Sequence, residues 1–291
     1  MSLDPPTYIL SFQNNIRQRP ISWEGAVRVK TITEEDLKKI KAIDKVRKEQ
    51  RKQIIDDDTA SYITLFLGSN GSDSIFQAAA KRPDILQYML VLAGDVIDGT
   101  LASHCNTAQL LRFIDNSSFV KALVQHKAPY QPFLPLLKTA SSPEDLTPLL
   151  ASSVLSSLIA QALTVSSKST PQVDEALSQL FTYLSGLAKS SDAGLQDIAV
   201  QEYSTVLRTT KSRTIFWKQR KETLDPLVEI LRTAAGAAKD NGSTIWSGSS
   251  SIRGAPEGLS GGVGIQLLYH VLLVIWQLSF EGSMVGDGLQ E

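Results

Sequence analysis

A chain of 291 residues that is 42% apolar and 20% charged can bury a sizeable core, as one extended domain or two compact ones, and is not a disordered polymer. Its 29 Lys plus Arg balance 30 Asp plus Glu, and a net charge of −1 argues against a dedicated nucleic-acid binder. The single cysteine, Cys105, excludes an internal disulfide and fits a reducing cytosolic compartment, and Met1-Ser2-Leu3-Asp4-Pro5-Pro6 lacks the basic and apolar regions of a secretory signal.

The pattern along the chain is helical from the start. Residues 1–16 read as an N-terminal arm whose short helix carries Ile9, Phe12 and Ile16 on one side. Thr33 with Asp36 makes a capping-box pattern ahead of Leu37. From there one helix is predicted to run from about Glu34 to Ile55. At about 100° per residue, Lys38, Lys41, Lys45, Lys48 and Lys52 fall on one stripe of it, with Ile40, Ile43 and Ile54 on the opposite side. Gly68 and Asp98-Gly99 are expected helix stops, and Arg82-Pro83 separates a short helix near 75–81 from a longer one reaching Ile97.

Three further helix starts combine a capping side chain with proline, which lacks the donor a first turn cannot use. They are Thr170-Pro171, Asp225-Pro226, and either Ser142-Pro143 or Thr147-Pro148. The stripes that follow are Val173, Ala176, Leu177, Leu180, Leu184 and Leu187, then Leu195, Ile198, Ala199, Tyr203 and Val206, then Leu224, Leu227, Val228, Leu231 and Ala235. Residues 239–262, rich in Gly and Ser, read as a flexible loop. Val263–Phe280 is apolar enough to suggest a membrane span, but Gln266, His270 and Gln277 share a face, as in a buried helix of a soluble protein. Residues 283–291 read as a tail. Many helices, short loops and no clear period-2 alternation define an all-α fold, and the chain's length favours a solenoid over a compact bundle.

Reactive chemistry is scarce. Gly68-Ser69-Asn70-Gly71-Ser72 lacks the Lys-Ser/Thr ending of a phosphate loop, and Gly261-Gly262-Val263-Gly264 lacks dinucleotide spacing. His104 and Cys105 are adjacent, His126 and His270 have no acid or histidine at ligand spacing, and no Gly-x-Ser-x-Gly elbow occurs. Asp56-Asp57-Asp58 reads as a solvated cap more readily than as a chelate. No catalytic, cofactor-binding or metal-binding residue is assigned. The lysine stripe has a bland reading, a solvated outer face, and a functional one, a docking face for an acidic partner.

Four collinear segments carry a family resemblance. They are Ile21-Ser22-Trp23 with Ile32-Thr33-Glu34-Glu35-Asp36; Pro129-Tyr130-Gln131-Pro132-Phe133-Leu134-Pro135-Leu136-Leu137; the stretch from Leu195 through Arg208 and Arg213-x-x-Phe216-Trp217 to Leu231; and Gln266-Leu267-x-Tyr269 with Ile275-Trp276-x-Leu278-Ser279-Phe280. Together they resemble the N-terminal domain of the H subunit of the vacuolar-type proton-pumping ATPase, over residues 17–282. Phe216, Trp217, Trp276 and Phe280 in these segments read most simply as a structural core signature, large fillers between stacked helices. The resemblance implies an armadillo/HEAT-like right-handed α-solenoid. It implies a non-catalytic regulatory subunit without a cofactor, on the cytosolic face of the vacuolar and endomembrane system, bound to the peripheral-stalk subunits E and G and other peripheral-sector subunits. Such a subunit supports proton transport and organelle acidification without entering the membrane. The family continues into a C-terminal domain that this chain lacks, so stalk binding is expected here and silencing of the detached ATPase sector is not. The rival readings are a solenoid adaptor that binds linear peptides in its groove, a hydrolase with a site assembled in space, and insertion through Val263–Phe280.

Overall fold

The structure, a computed structural model, describes residues 7–69, 73–98, 118–138, 145–165, 170–240, 258–259 and 263–282. Over these residues the fold is all-α, consistent with a helical solenoid. The helices are α1 (Thr7–Gln18), α2 (Trp23–Arg28), α3 (Glu34–Ile43), α4 (Lys48–Asp57), α5 (Thr59–Leu67), α6 (Ile75–Ala78), α7 (Pro83–Asp98) and α8 (Ser118–Gln125). A 3-10 turn (Leu134–Lys138) precedes α9 (Thr147–Val165), α10 (Pro171–Ala188), α11 (Ala193–Val206), α12 (Thr210–Lys218), α13 (Arg220–Thr223), α14 (Asp225–Asp240) and α15 (Ile265–Ser279).

One feature departs from the helical pattern. Two-residue strands β1 (Gly258–Leu259) and β2 (Val263–Gly264) pair antiparallel, with Gly258 opposite Gly264 and Leu259 opposite Val263. The expected loop 239–262 is thus narrowed from both ends, because α14 runs on to Asp240 and the ladder leads into α15. The rest of that loop lies outside the described residues, as do the expected stop at Gly99, the possible cap Ser142 and the tail from 283.

Local chemistry sets most of the helix ends. The Thr33 hydroxyl accepts from Asp36 N at 3.0 Å while Thr33 N donates to Asp36 Oδ2 at 3.1 Å, a complete capping box. Helix α5 stops at Gly68, whose φ of 82° lies in the region where a Cβ is strained. Between Ser142 and Thr147 as starts of α9, the chain uses Thr147, whose N–H donates to Asp145 Oδ1 at 2.9 Å. Thr170 Oγ1 accepts from Val173 N at 3.4 Å ahead of Pro171. Asp225 lies one place further into the helix than the cap position. It stands inside the first turn of α14, where Val228 N already bonds back to Leu224 O at 3.0 Å.

The described helices fall into two compact units, one within residues 9–176 and the other within 177–291. In the first, α7 packs along α9; α7 buries Leu86, Met89 and Leu90, and α9 is buried on more than one side, through Leu150, Leu155, Leu158 and Ile159. Helix α9 is long and apolar enough to cross a membrane by length and composition, but it is mostly buried and serves as a core helix. Its polar neighbours are satisfied: Gln161 Nε2 donates to Ile97 O at 3.1 Å and Gln87 Nε2 to Thr147 Oγ1 at 3.4 Å. Phe66, Phe76, Phe119 and Phe133 form a chain of ring contacts with centroids 5.0–6.2 Å apart.

The second unit is built on α11 against α15, with α14 also against α15. Phe181, Tyr203 and Phe216 meet at its centre, ring centroids 5.2–5.8 Å apart and each side chain fully buried. Each such ring contributes about 1.5–3 kcal/mol by leaving water. On α14 the covered side is Leu227, Ile230 and Ala234, so the predicted stripe is rotated and leaves Val228 and Leu231 half-buried.

Candidate interaction surfaces

The predicted helix 34–55 is two helices. Helix α3 ends at Ile43, Asp44 is extended (ψ 138°), Lys45 is left-handed (φ 54°), and α4 starts after an extended Arg47. Contacts distant in sequence hold the break. The Asp44 carboxylate accepts a short bond from the Tyr88 hydroxyl, whose pKa burial and then Asp44 push up, so it stays a donor. Arg51 Nε donates to Ile43 O at 3.0 Å, closing an orphan carbonyl at the end of α3. Asp95 takes Arg17 at 2.6 Å and Arg51 at 3.6 Å. Ile40 and Ile43 are buried, while Ile54 is only half-buried and Ile55 takes the interior place.

The five lysines therefore do not form one rail. Lys38 and Lys41 sit on α3, Lys48 and Lys52 on α4, and Lys45 at the turn between them, all exposed or half-exposed. Lys39 instead pairs with Glu35 at 2.9 Å and Arg51 is turned inward. From Lys38 to Lys52 the sequence carries eight basic residues and two acids, Asp44 and Glu49, so this segment is strongly positive although the whole chain has a net charge of −1.

The second surface reverses an expectation. Trp276 and Phe280, expected as core fillers, are 58% and 61% exposed, and their rings contact each other at 4.8 Å. The reason is angular. Leu267, Val271, Val274 and Leu278 form the covered stripe of α15, and at about 100° per residue Trp276 lies diametrically opposite. Ile265, Tyr269 and Leu272, at 64%, 44% and 52% exposure, complete the outward stripe. Of the other signature residues, Phe216 is in the core and Trp217 is half-buried under the Arg220 guanidinium at 5.7 Å. The polar face predicted for this helix divides too: His270 and Gln277 meet α11, whereas Gln266 is exposed.

That α11–α15 seam holds contacts the sequence did not reveal. His270 Nδ1 lies 2.6 Å from Asp197 Oδ1, and Gln201 Nε2 donates to Asp197 Oδ2 at 3.0 Å. Gln277 Nε2 donates to Ser204 O at 3.2 Å. At the end of α15, Glu281 Oε1 accepts from Arg213 Nη2 at 2.6 Å and Nε at 2.9 Å, while Arg213 Nη1 reaches Leu207 O at 3.0 Å. The Arg213 hydrogen bonds hold the Glu281 carboxyl below the usual carboxylate range. Asp197 and His270 are 73 positions apart, beyond any local motif. The available signal was a histidine inside an apolar stripe, which must find a partner when buried.

The other candidates settle into structural roles. Asp58 Oδ1 accepts from Ser61 N at 3.4 Å, capping α5, and Asp57 accepts from Gln53 at 2.8 Å. His126 Nδ1 accepts from Ala128 N at 3.3 Å. His104 and Cys105 lie outside the described residues. Among the described residues no group of three or more His, Cys, Asp or Glu is placed to hold a metal ion.

Helices stacked on helices, with a basic surface at one place and an apolar one at another, define a helical interaction scaffold. The family model for the V-ATPase H subunit matches residues 7–291, and the chain belongs to that family, corresponding to its N-terminal domain. It is thus a peripheral V-ATPase component, associated with other subunits of the pump. No curated protein matches the chain.

Proposed function

We propose that this chain is a non-catalytic, stator-type regulatory subunit of the peripheral sector of the proton pump. It binds peripheral-stalk subunits E and G on the cytosolic face of vacuolar and endomembrane compartments and so supports ATP-driven proton transport and acidification. The observation that carries this reading is the family match over nearly the whole chain. A packed helical body suits the task, because a part that resists torque must transmit strain without yielding, and close-packed interiors do so.

The α3–α4 surface is the proposed stalk contact. Lys38, Lys41, Lys45, Lys48 and Lys52 lie at the surface of two short helices whose junction is pinned from below by Tyr88 and Arg51. An acidic partner segment would be steered there and held in a salt-sensitive way. The test is binding of the purified E–G pair across a salt series, with the wild-type chain and with Lys41→Glu, Lys45→Glu and Lys48→Glu combined. Affinity should fall with salt and by about tenfold or more in the triple variant. Salt-independent or unchanged affinity removes the lysines from the contact. No binding to E–G, with capture of short peptides instead, refutes the stator reading.

A further inference from the structure

Between α1 and α2 the chain reads Arg17-Gln18-Arg19-Pro20-Ile21-Ser22, with arginines five and three places before a serine. No other serine or threonine of the sequence has arginine at both places. Residues 19–22 belong to no helix, and Pro20 fixes its own φ and biases Arg19 away from the helical region. Arg19, Pro20 and Ser22 are exposed. Ser22 occupies the cap position of α2, but its hydroxyl makes no cap bond. It is therefore a reachable alcohol in a non-helical stretch, not one tied into local structure.

The two arginines are held differently. Arg17 is bound to a carboxylate: Nη2 and Nε donate to Asp95 at 2.6 and 3.4 Å, and Nη1 donates to Asn14 at 2.9 Å. Arg19 has a neutral acceptor, with Nη1 donating to Gln87 Oε1 at 3.1 Å. Gln87 is buried on α7 and anchored in turn by its bond to Thr147 of α9. Together these contacts fasten the C-terminal end of α1 to α7.

We propose that Ser22 is a phosphorylation site for a basophilic protein kinase, and that the phosphate draws Arg19 away from Gln87. In the transfer, Ser22 Oγ attacks the γ-phosphorus of ATP. The Oγ–P bond forms as the bond from that phosphorus to the bridging oxygen breaks, ADP leaves, and the kinase's carboxylate base takes the hydroxyl proton. An acidic cleft reads Arg17 and Arg19 by charge. Arg17 stands in the last turn of α1, and helix ends open at little cost. The phosphate then carries about −1.5 to −2 charges three residues from Arg19. It can take a guanidinium bidentately and with opposite charge, whereas Gln87 offers one neutral oxygen. Arg17 keeps its carboxylate. Glu24, exposed two residues beyond Ser22, repels the phosphate and favours the arginine side. Helix α1 thus stays fastened through Arg17 and is released at Arg19.

The experiment incubates the purified 291-residue chain with ATP and the catalytic domain of a protein kinase that requires arginine at both places, and maps the product by mass spectrometry. Phosphate is expected on Ser22. Ser22→Ala should take none there, Ser22→Thr should restore it, and Arg19→Ala should slow transfer about tenfold or more; circular dichroism checks that each variant folds. Amide hydrogen exchange in the last turn of α1 should be about fivefold faster in the phosphorylated chain than in the unmodified one, with α14 and α15 unchanged. Unmodified Arg19→Ala should speed the same amides by a similar factor. A chain that accepts no phosphate, phosphate carried elsewhere with Ser22 bare, or a rate indifferent to Arg19→Ala overturns the inference. So does phosphate on Ser22 that leaves the end of α1 exchanging as before.

Discussion

Helices α3–α4 and helix α15 present opposite solutions to the same problem. On α3–α4 the inner side is isoleucine and the outer side lysine, so burial and solvation divide the helix surface cleanly. On α15 both sides are apolar, and only packing against α11 and α14 decides which one is covered. A one-sided helix announces its orientation in sequence. A two-sided one announces only that two surfaces must be met, and the structure supplies one of them. The first surface suits a partner drawn by charge.

The sharpest way to break this contrast is to remove rings from the two sides of the second unit. Phe216→Ala should cost about 3–5 kcal/mol in denaturant unfolding, because it opens a cavity against Phe181 and Tyr203. Trp276→Ala should stay within about 0.5 kcal/mol. Equal costs would mean that the outward side of α15 is covered.

A smaller effect lies in acid. Because Arg213 lowers the Glu281 carboxyl, this pair stabilises the fold fully above the unfolded carboxylate value, about 4.3. That contribution is lost as pH falls through the lower folded value. Unfolding midpoints of wild type and Glu281→Gln should therefore differ near neutrality and converge toward about pH 3. A gap that is constant across this range would show that the pair is not the source.

The smallest effect separates two helices from one. Lys45→Gly should stabilise by up to about 1 kcal/mol, since Lys45 occupies a left-handed position. In an unbroken helix the same change would cost about 1 kcal/mol, so the sign alone decides.

What was legible in the sequence was the local part. The Thr33–Asp36 box, the stop at Gly68, the start at Thr170-Pro171 and the α10 stripe from Val173 to Leu184 depend on neighbours within a turn or two. What was not legible depends on distant residues. The break after Ile43 is held by Tyr88, 44 positions beyond Asp44, and the orientation of α15 by Asp197, 73 positions before His270. The candidate lysines were visible as a group, but their split over two helices was not. Size alone reads Trp276 and Phe280 as core fillers, whereas their offset from Leu267, Val271 and Val274 puts them on another side of the helix.

The most direct measurement is amide hydrogen exchange on the chain with and without the stalk E–G pair. Slowed exchange across residues 38–57, with α15 unchanged, is the result expected if α3–α4 is the stalk contact. A stable complex that leaves those amides exchanging as before, with protection confined to other helices, would contradict it.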